Sequence, residues 1–83
     1  MHEYSIVENL VKQVVAEAQK RHALKVVKVN LALGEMLGFD AEAIRLYYQT
    51  ISEGTVASGA VVDIHPVFAG REIYIENIEI ETA

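Results

Sequence analysis

Lys25-Val26-Val27-Lys28-Val29-Asn30-Leu31-Ala32-Leu33 is the stretch on which the fold turns. Its side chains alternate: Val27, Val29, Leu31 and Leu33 face one way, Val26, Lys28, Asn30 and Ala32 the other. β-Branched content with a period of two predicts a strand with one buried face. Upstream the period changes. Ile6, Val7, Leu10, Val11, Val14, Val15 and Ala18 recur at helical spacing, with Glu8, Asn9, Lys12, Gln13, Glu17 and Lys20 on the opposite face. Ser5-Ile6-Val7-Glu8 reads as a capping box at the start of that helix, and Lys20, Arg21 and His22 close it where the helix dipole favours positive charge. A helix of about 17 residues is expected, preceded by a short strand within Met1 to Tyr4.

Downstream, Gly34-Glu35-Met36-Leu37-Gly38-Phe39 interrupts the alternation and reads as a loop. Asp40 caps a second helix whose apolar stripe is Ile44, Tyr47, Tyr48 and Ile51, with Gly54 at the position of a C-terminal glycine cap. A second strand is expected from about Ala60 to His65, with Val62 and Ile64 on its inner face and Val61, Asp63 and His65 on its outer face. Pro66 consigns it to an edge. A third strand covers Arg71 to Glu81. Its apolar residues change parity, from Ile73 and Ile75 to Ile78 and Ile80, which requires a bulge near Glu76-Asn77. Ala69-Gly70 offers a tight turn that would join the last two strands as an antiparallel hairpin. The elements predict an α+β fold of two layers, with two helices packed on one face of a three- to four-stranded mixed sheet.

Composition narrows the function. The 83 residues make one domain, 52% of them apolar, enough for one thin core. The net charge of −5 disfavours nucleic acid and anionic membranes as partners. No cysteine is present, which excludes disulfides, zinc knuckles and thiol chemistry. No basic and apolar leader opens the chain, and no apolar run is long enough to span a bilayer, so a cytoplasmic location is expected. There is no Ser/His/Asp or Cys/His constellation and no phosphate-binding glycine loop, so no enzyme activity is expected.

The chemistry on offer lies at Met1-His2-Glu3. An amine, the backbone nitrogen of His2 and its imidazole Nδ1 can close two fused rings around one ion, with the Glu3 backbone nitrogen or an outside ligand as fourth donor. Displacing amide protons requires a metal that favours four nitrogens in a plane, Ni(II) or Cu(II) rather than Zn(II) or Mg(II). A second-position histidine also occurs in chains without a metal role, so the spacing alone leaves both readings open. His65 with Asp63, at i and i+2 on one strand face, is a second pair of donors, although a solvated strand-end histidine has the same spacing. His22 reads as a solvated helix-end residue.

Met1-His2-Glu3-Tyr4-Ser5-Ile6, the strand ending Leu33-Gly34-Glu35, the capped second helix and the close on Ile78-Glu79-Ile80-Glu81 together resemble the HypA/HybF family, nickel metallochaperones that help to mature [NiFe]-hydrogenases and, in some bacteria, urease. The resemblance covers most of the chain in order. It implies Ni(II) held through Met1, His2 and Glu3, and delivery with a HypB-type GTPase to a hydrogenase precursor. Glu35 matches a recurring Leu-Gly-Glu segment and is given a loop role here. The departure is a missing zinc domain, whose place is taken by the short turn at 66–71. No family-type zinc site is therefore expected, and the whole of residues 1–83 is read as one nickel-binding domain. Closing that joint with a short turn suggests homodimers formed by exchange of the third strand at Ala69-Gly70. The alternative reading is a metal-free interaction or assembly module acting through the first helix and the exposed sheet edge.

Overall fold

The computed structural model describes residues 3–83. Helix α1 spans Glu3–Lys20 and strand β1 Lys25–Gly34; a single 3-10 turn at Glu35–Leu37 leads to helix α2, Ala41–Ile51, then strands β2, Val61–Val67, and β3, Ile73–Glu81. The three strands form one mixed sheet in the order β2-β1-β3. The expected two-layer α+β architecture is present, with α1 and α2 against one face of the sheet.

Helix α1 begins earlier than its capping-box signature suggests. Ser5 lies inside the first turn, and Glu3 and Tyr4 are helical rather than extended. Two tertiary contacts explain the longer helix. The Glu3 carboxylate accepts a hydrogen bond from the Asp40 backbone N–H at 3.1 Å, and the Tyr4 ring meets Tyr47 edge-on with centroids 5.4 Å apart. The far end is a Schellman motif. Ala23 N–H donates to the Ala18 carbonyl and His22 N–H to that of Gln19, with His22 in the left-handed conformation at φ 55°. His22 is thus a helix-terminating residue, as expected of a solvated position.

Strand β1 takes the centre because strand–helix–strand connections place their strands side by side and parallel. β1, α2 and β2 form such a unit, with Val29 opposite Val62 and Leu31 opposite Ile64. β3 then pairs antiparallel with the other edge of β1, so the expected hairpin between the last two strands does not form. The outer edge of β2 could not have received it. Arg45 of α2 donates through Nε to the Val62 carbonyl at 3.1 Å, so that carbonyl points away from β1. By the two-residue alternation of a ladder, Pro66 faces outward as well and has no N–H to offer a further strand.

The chain therefore crosses over the end of β1 between β2 and β3. Val67 to Gly70 form a turn, closed by Gly70 N–H to the Val67 carbonyl at 3.0 Å; Ala69 at φ 58° fills the third position, which such a turn reserves for glycine. An L-residue there costs about 1–2 kcal/mol. The crossing is fastened by Met36 N–H to the Gly70 carbonyl at 2.9 Å and Gly34 N–H to the Glu72 carbonyl at 2.8 Å.

The ladder of β1 with β3 contains two irregularities. One lies between Asn30 and Leu31, where Glu76 is the extra residue of β3; this is the expected bulge. The other lies between Val26 and Lys28, where Val27 is extra. It overturns the simple alternation of β1: Val26 is fully buried, whereas Val27 is 40% exposed. Together the bulges align four inward pairs, Val26–Ile80, Val29–Ile78, Leu31–Ile75 and Leu33–Ile73, beneath the helices.

The core joins these residues to Val7, Leu10, Val11, Val14 and Ala18 of α1, Ile44 and Tyr48 of α2, Ala57 and Val62. Asp40 caps α2 through Oδ1 and the Glu42 N–H at 3.0 Å, as its position predicts. Ser52 ends the helix, and Gly54, at φ 76°, lies two residues beyond it. Tyr48 is buried and donates to the Ala57 carbonyl at 2.8 Å. Burial pushes its ionisation up to about 12 from an ordinary 10.0. A raised pKa means that the folded chain holds this proton more tightly than the unfolded chain. The stability it contributes is complete below pH 10.0 and is lost as pH rises through about 12. Thermal melts from pH 9 to 12 should show this alkaline loss in the parent chain and a smaller one in Tyr48→Phe. At neutral pH that variant should be less stable by about 1–2 kcal/mol, because the Ala57 carbonyl is left unpaired. Equal alkaline loss in both chains would remove Tyr48 as its cause. None of the described helices is long and apolar enough to cross a membrane.

Candidate metal centre

The three residues singled out by the sequence divide at the boundary of the described structure. Met1 and His2 lie outside the described residues. Glu3 opens α1. The first four N–H groups of a helix have no acceptor four residues earlier, and Glu3 heads that set. Its amide nitrogen is therefore the one backbone nitrogen of the motif whose helical environment can be described, and the ladder of α1 does not require its proton.

Around Glu3 the two helix starts are brought together. Its carboxylate takes the Asp40 backbone N–H, which places a negative charge at the positive end of α2. The Asp40 side chain turns to its own helix and caps Glu42. The Tyr4–Tyr47 contact, one residue along α1, packs the same turn against α2. Four groups from two segments 37 residues apart in sequence thus orient the turn that follows Met1-His2.

Sequence reasoning took Asp40 only as a helix cap and missed its link to Glu3. The one available signal was that a carboxylate in a first turn needs a donor, and an exposed helix start supplies several. Glu35 sits in the 3-10 turn, where its carbonyl accepts from Gly38 N–H at 3.2 Å, in keeping with a loop role. The segment Glu35 to Asp40 is held at one end to Gly70, through Met36, and at the other to Glu3. It connects the crossing at 66–71 with the start of α1. His65 and Asp63 are neighbours on the outer sheet face, with His65 Nε2 3.5 Å from Asp63 Oδ2. Among the described residues, no three histidine, aspartate, glutamate or cysteine side chains converge on one point.

Comparison with known proteins adds identity to this geometry. Residues 1–70 match the family described as "Hydrogenase/urease nickel incorporation, metallochaperone, hypA". The hydrogenase maturation factor HypA of Caldanaerobacter subterraneus subsp. tengcongensis is 43% identical over 60 residues, which cover 72% of this chain and 53% of the relative. The chain thus spans about half the length of that protein. The factor of the same name from Dehalococcoides mccartyi strain CBDB1 is 28% identical over 113 aligned positions, covering 98% of this chain and 95% of the relative. Because that alignment is longer than the 83-residue chain, at least 30 of its positions face gaps on this side. Among solved structures, the Ni metallochaperone HypA from Helicobacter pylori superposes with a TM-score of 0.86 at 20% identity over all of both chains, a likeness of fold. A second solution structure, titled HypA protein, gives a TM-score of 0.71 at 26% identity, covering 93% of this chain and 71% of the other.

Proposed function

The chain belongs to the HypA family, and from this premise we propose that it carries Ni(II) as cargo for hydrogenase maturation and holds it through Met1, His2 and Glu3. The ring-forming donors are the Met1 amine and the backbone nitrogen and imidazole of His2. The observation that carries this reading is the start of α1 at Glu3, whose carboxylate accepts the Asp40 N–H and so anchors the turn that follows these donors. The fourth planar position lies opposite the His2 backbone nitrogen and goes to an outside ligand, because the Glu3 amide adjoins that nitrogen in the chain and cannot reach across the ion. The chain holds and releases the ion and makes or breaks no covalent bond of a substrate.

The recipients follow from the family: a HypB-type GTPase and a hydrogenase precursor, with urease as a further destination. The reading also includes loss of the zinc domain. The family match stops at residue 70, in the crossing, and the alignment gaps allow for an inserted segment in the relatives. With no cysteine in the sequence, a Cys-type structural zinc site has no ligands here.

The test is a Ni(II) titration of the untagged chain, followed by visible absorption. One equivalent giving a yellow, planar spectrum supports the site. The pH dependence is sharper still. The His2 amide holds its proton in the free chain near neutral pH, and an α-amine is largely protonated there, so binding releases about two protons. Affinity should fall about 100-fold or more for each unit that pH drops, and more steeply below about 6.5, where free His2 is protonated too. An affinity that changes less than tenfold between pH 8 and 6 would exclude amide ligation.

A further inference from the structure

The sheet face turned away from the helices holds a second set of metal donors. The strand register aligns Asn30 of β1 with Asp63 of β2 on one side and Asn77 of β3 on the other, and Ala32 with His65. Asn77 Oδ1 accepts from Asn30 Nδ2 at 2.7 Å, which leaves the Asn30 carbonyl oxygen directed at His65. His65 Nε2 lies 3.4 Å from Asn30 Oδ1 and 3.5 Å from Asp63 Oδ2.

Both separations are long for hydrogen bonds, whose N···O distances centre on about 2.9–3.0 Å. They match instead the spacing of two donors that share a tetrahedral ion: ligands about 2.1 Å from the metal stand about 3.4 Å from each other. The donor set is one imidazole nitrogen and two oxygens, suited to divalent ions from Co(II) to Zn(II). Asn77 orients the Asn30 amide from outside the set, as outer groups orient metal ligands elsewhere. The His65 and Asp63 side chains are 50% and 43% exposed, so an ion reaches them from solvent and water completes its coordination.

We propose that His65, Asp63 and Asn30 form a weak, solvent-accessible binding site for a divalent first-row transition-metal ion, separate from Met1-His2-Glu3. Lys28 sets its strength. Its Nζ lies 3.4 Å from the same Asp63 Oδ2 that would face the ion, so the ammonium competes directly with the metal for that carboxylate. Binding requires Lys28 to swing away, which keeps the site labile.

The test uses the His2→Ala variant of the 83-residue chain, in which the amino-terminal chelate is disabled, so that failure of one site does not obscure the other. Nickel on one nitrogen and several oxygens is paramagnetic, whereas nickel in a plane of four nitrogens is diamagnetic. Adding Ni(II) to 15N-labelled protein should therefore broaden the amide signals of Asn30, Asp63 and His65 first. Adding His65→Ala should remove that selective broadening. Adding Lys28→Ala should shift the titration midpoint to lower nickel concentration by about threefold or more, a gain of binding that loss of folding cannot imitate. Broadening centred on His22, the absence of selective broadening, or a midpoint unmoved by Lys28→Ala would each overturn the proposal.

Discussion

In the His2→Ala chain, the yellow planar nickel species should be absent and affinity near neutral pH should fall by about three orders of magnitude or more, about 4 kcal/mol. The size of the effect follows from the order of binding. An amide does not surrender its proton to nickel at neutral pH unless a neighbouring donor has already anchored the ion. In this motif the imidazole is that anchor, because its Nδ1 closes a ring with its own backbone nitrogen. Removing it therefore costs the amide ligand as well as the imidazole nitrogen. Acetylating the Met1 amine should have the same spectroscopic result by the opposite route, since the imidazole stays and the primary amine becomes an amide. The fold should survive both changes. The described core begins at Val7, and the contacts that orient the first turn of α1 come from Glu3 and Tyr4. Unchanged melting curves beside a lost spectrum would assign the nickel to this end of the chain. A planar spectrum retained in either variant would place the chelate elsewhere.

Much of the architecture is legible because its signals are local. The α1 stripe, the Asp40 cap, the edge position of Pro66 and the bulge at Glu76 all follow from spacing or from one residue's covalent limits. Besides the early start of α1, two features of the sheet escaped. Val26 and Val27 are chemically alike, so the sequence contains nothing to show that the first is buried and the second is the extra residue of a bulge. The pairing of β3 was masked by a convincing local turn at Ala69-Gly70. The competing signal was the strand–helix–strand order, which makes β1 and β2 parallel neighbours and leaves β3 only the far edge of β1. The candidate site divides in the same way. Its ligand types are read directly from Met1-His2-Glu3, while the Glu3–Asp40 contact joins residues 37 positions apart and no local pattern announces it.

Gly34→Ala should be the most damaging single-methyl substitution in the fold, costing about 3 kcal/mol or more. Its backbone is ordinary, at φ −66° and ψ 126°, so the glycine is not there for conformational freedom. The reason is the crossing. A Cβ at Gly34 would lie 2.4 Å from the Gly70 carbonyl carbon, 2.5 Å from its oxygen and 2.8 Å from the Arg71 nitrogen. All three are backbone atoms, and the crossing that contains them is fastened by hydrogen bonds from Met36 and Gly34 itself. The added methyl must break those bonds or push β3 off register. A domain of this size has only about 4–12 kcal/mol of total stability, so the loss should lower the melting temperature by about 12 °C or more. Gly38 provides the contrast. It has a left-handed φ of 68° but open space where a Cβ would stand, so Gly38→Ala should cost only about 1 kcal/mol. Inserting two glycines between Gly70 and Arg71 should rescue Gly34→Ala, because a longer crossing can arch over the methyl. Nickel affinity, measured where the variant is still folded, should change little, since the proposed donors are contiguous in the first three residues. Equal destabilisation by Gly34→Ala and Gly38→Ala, with no rescue by the longer crossing, would show that the close approach of Gly34 to Gly70 does not govern how β3 is held.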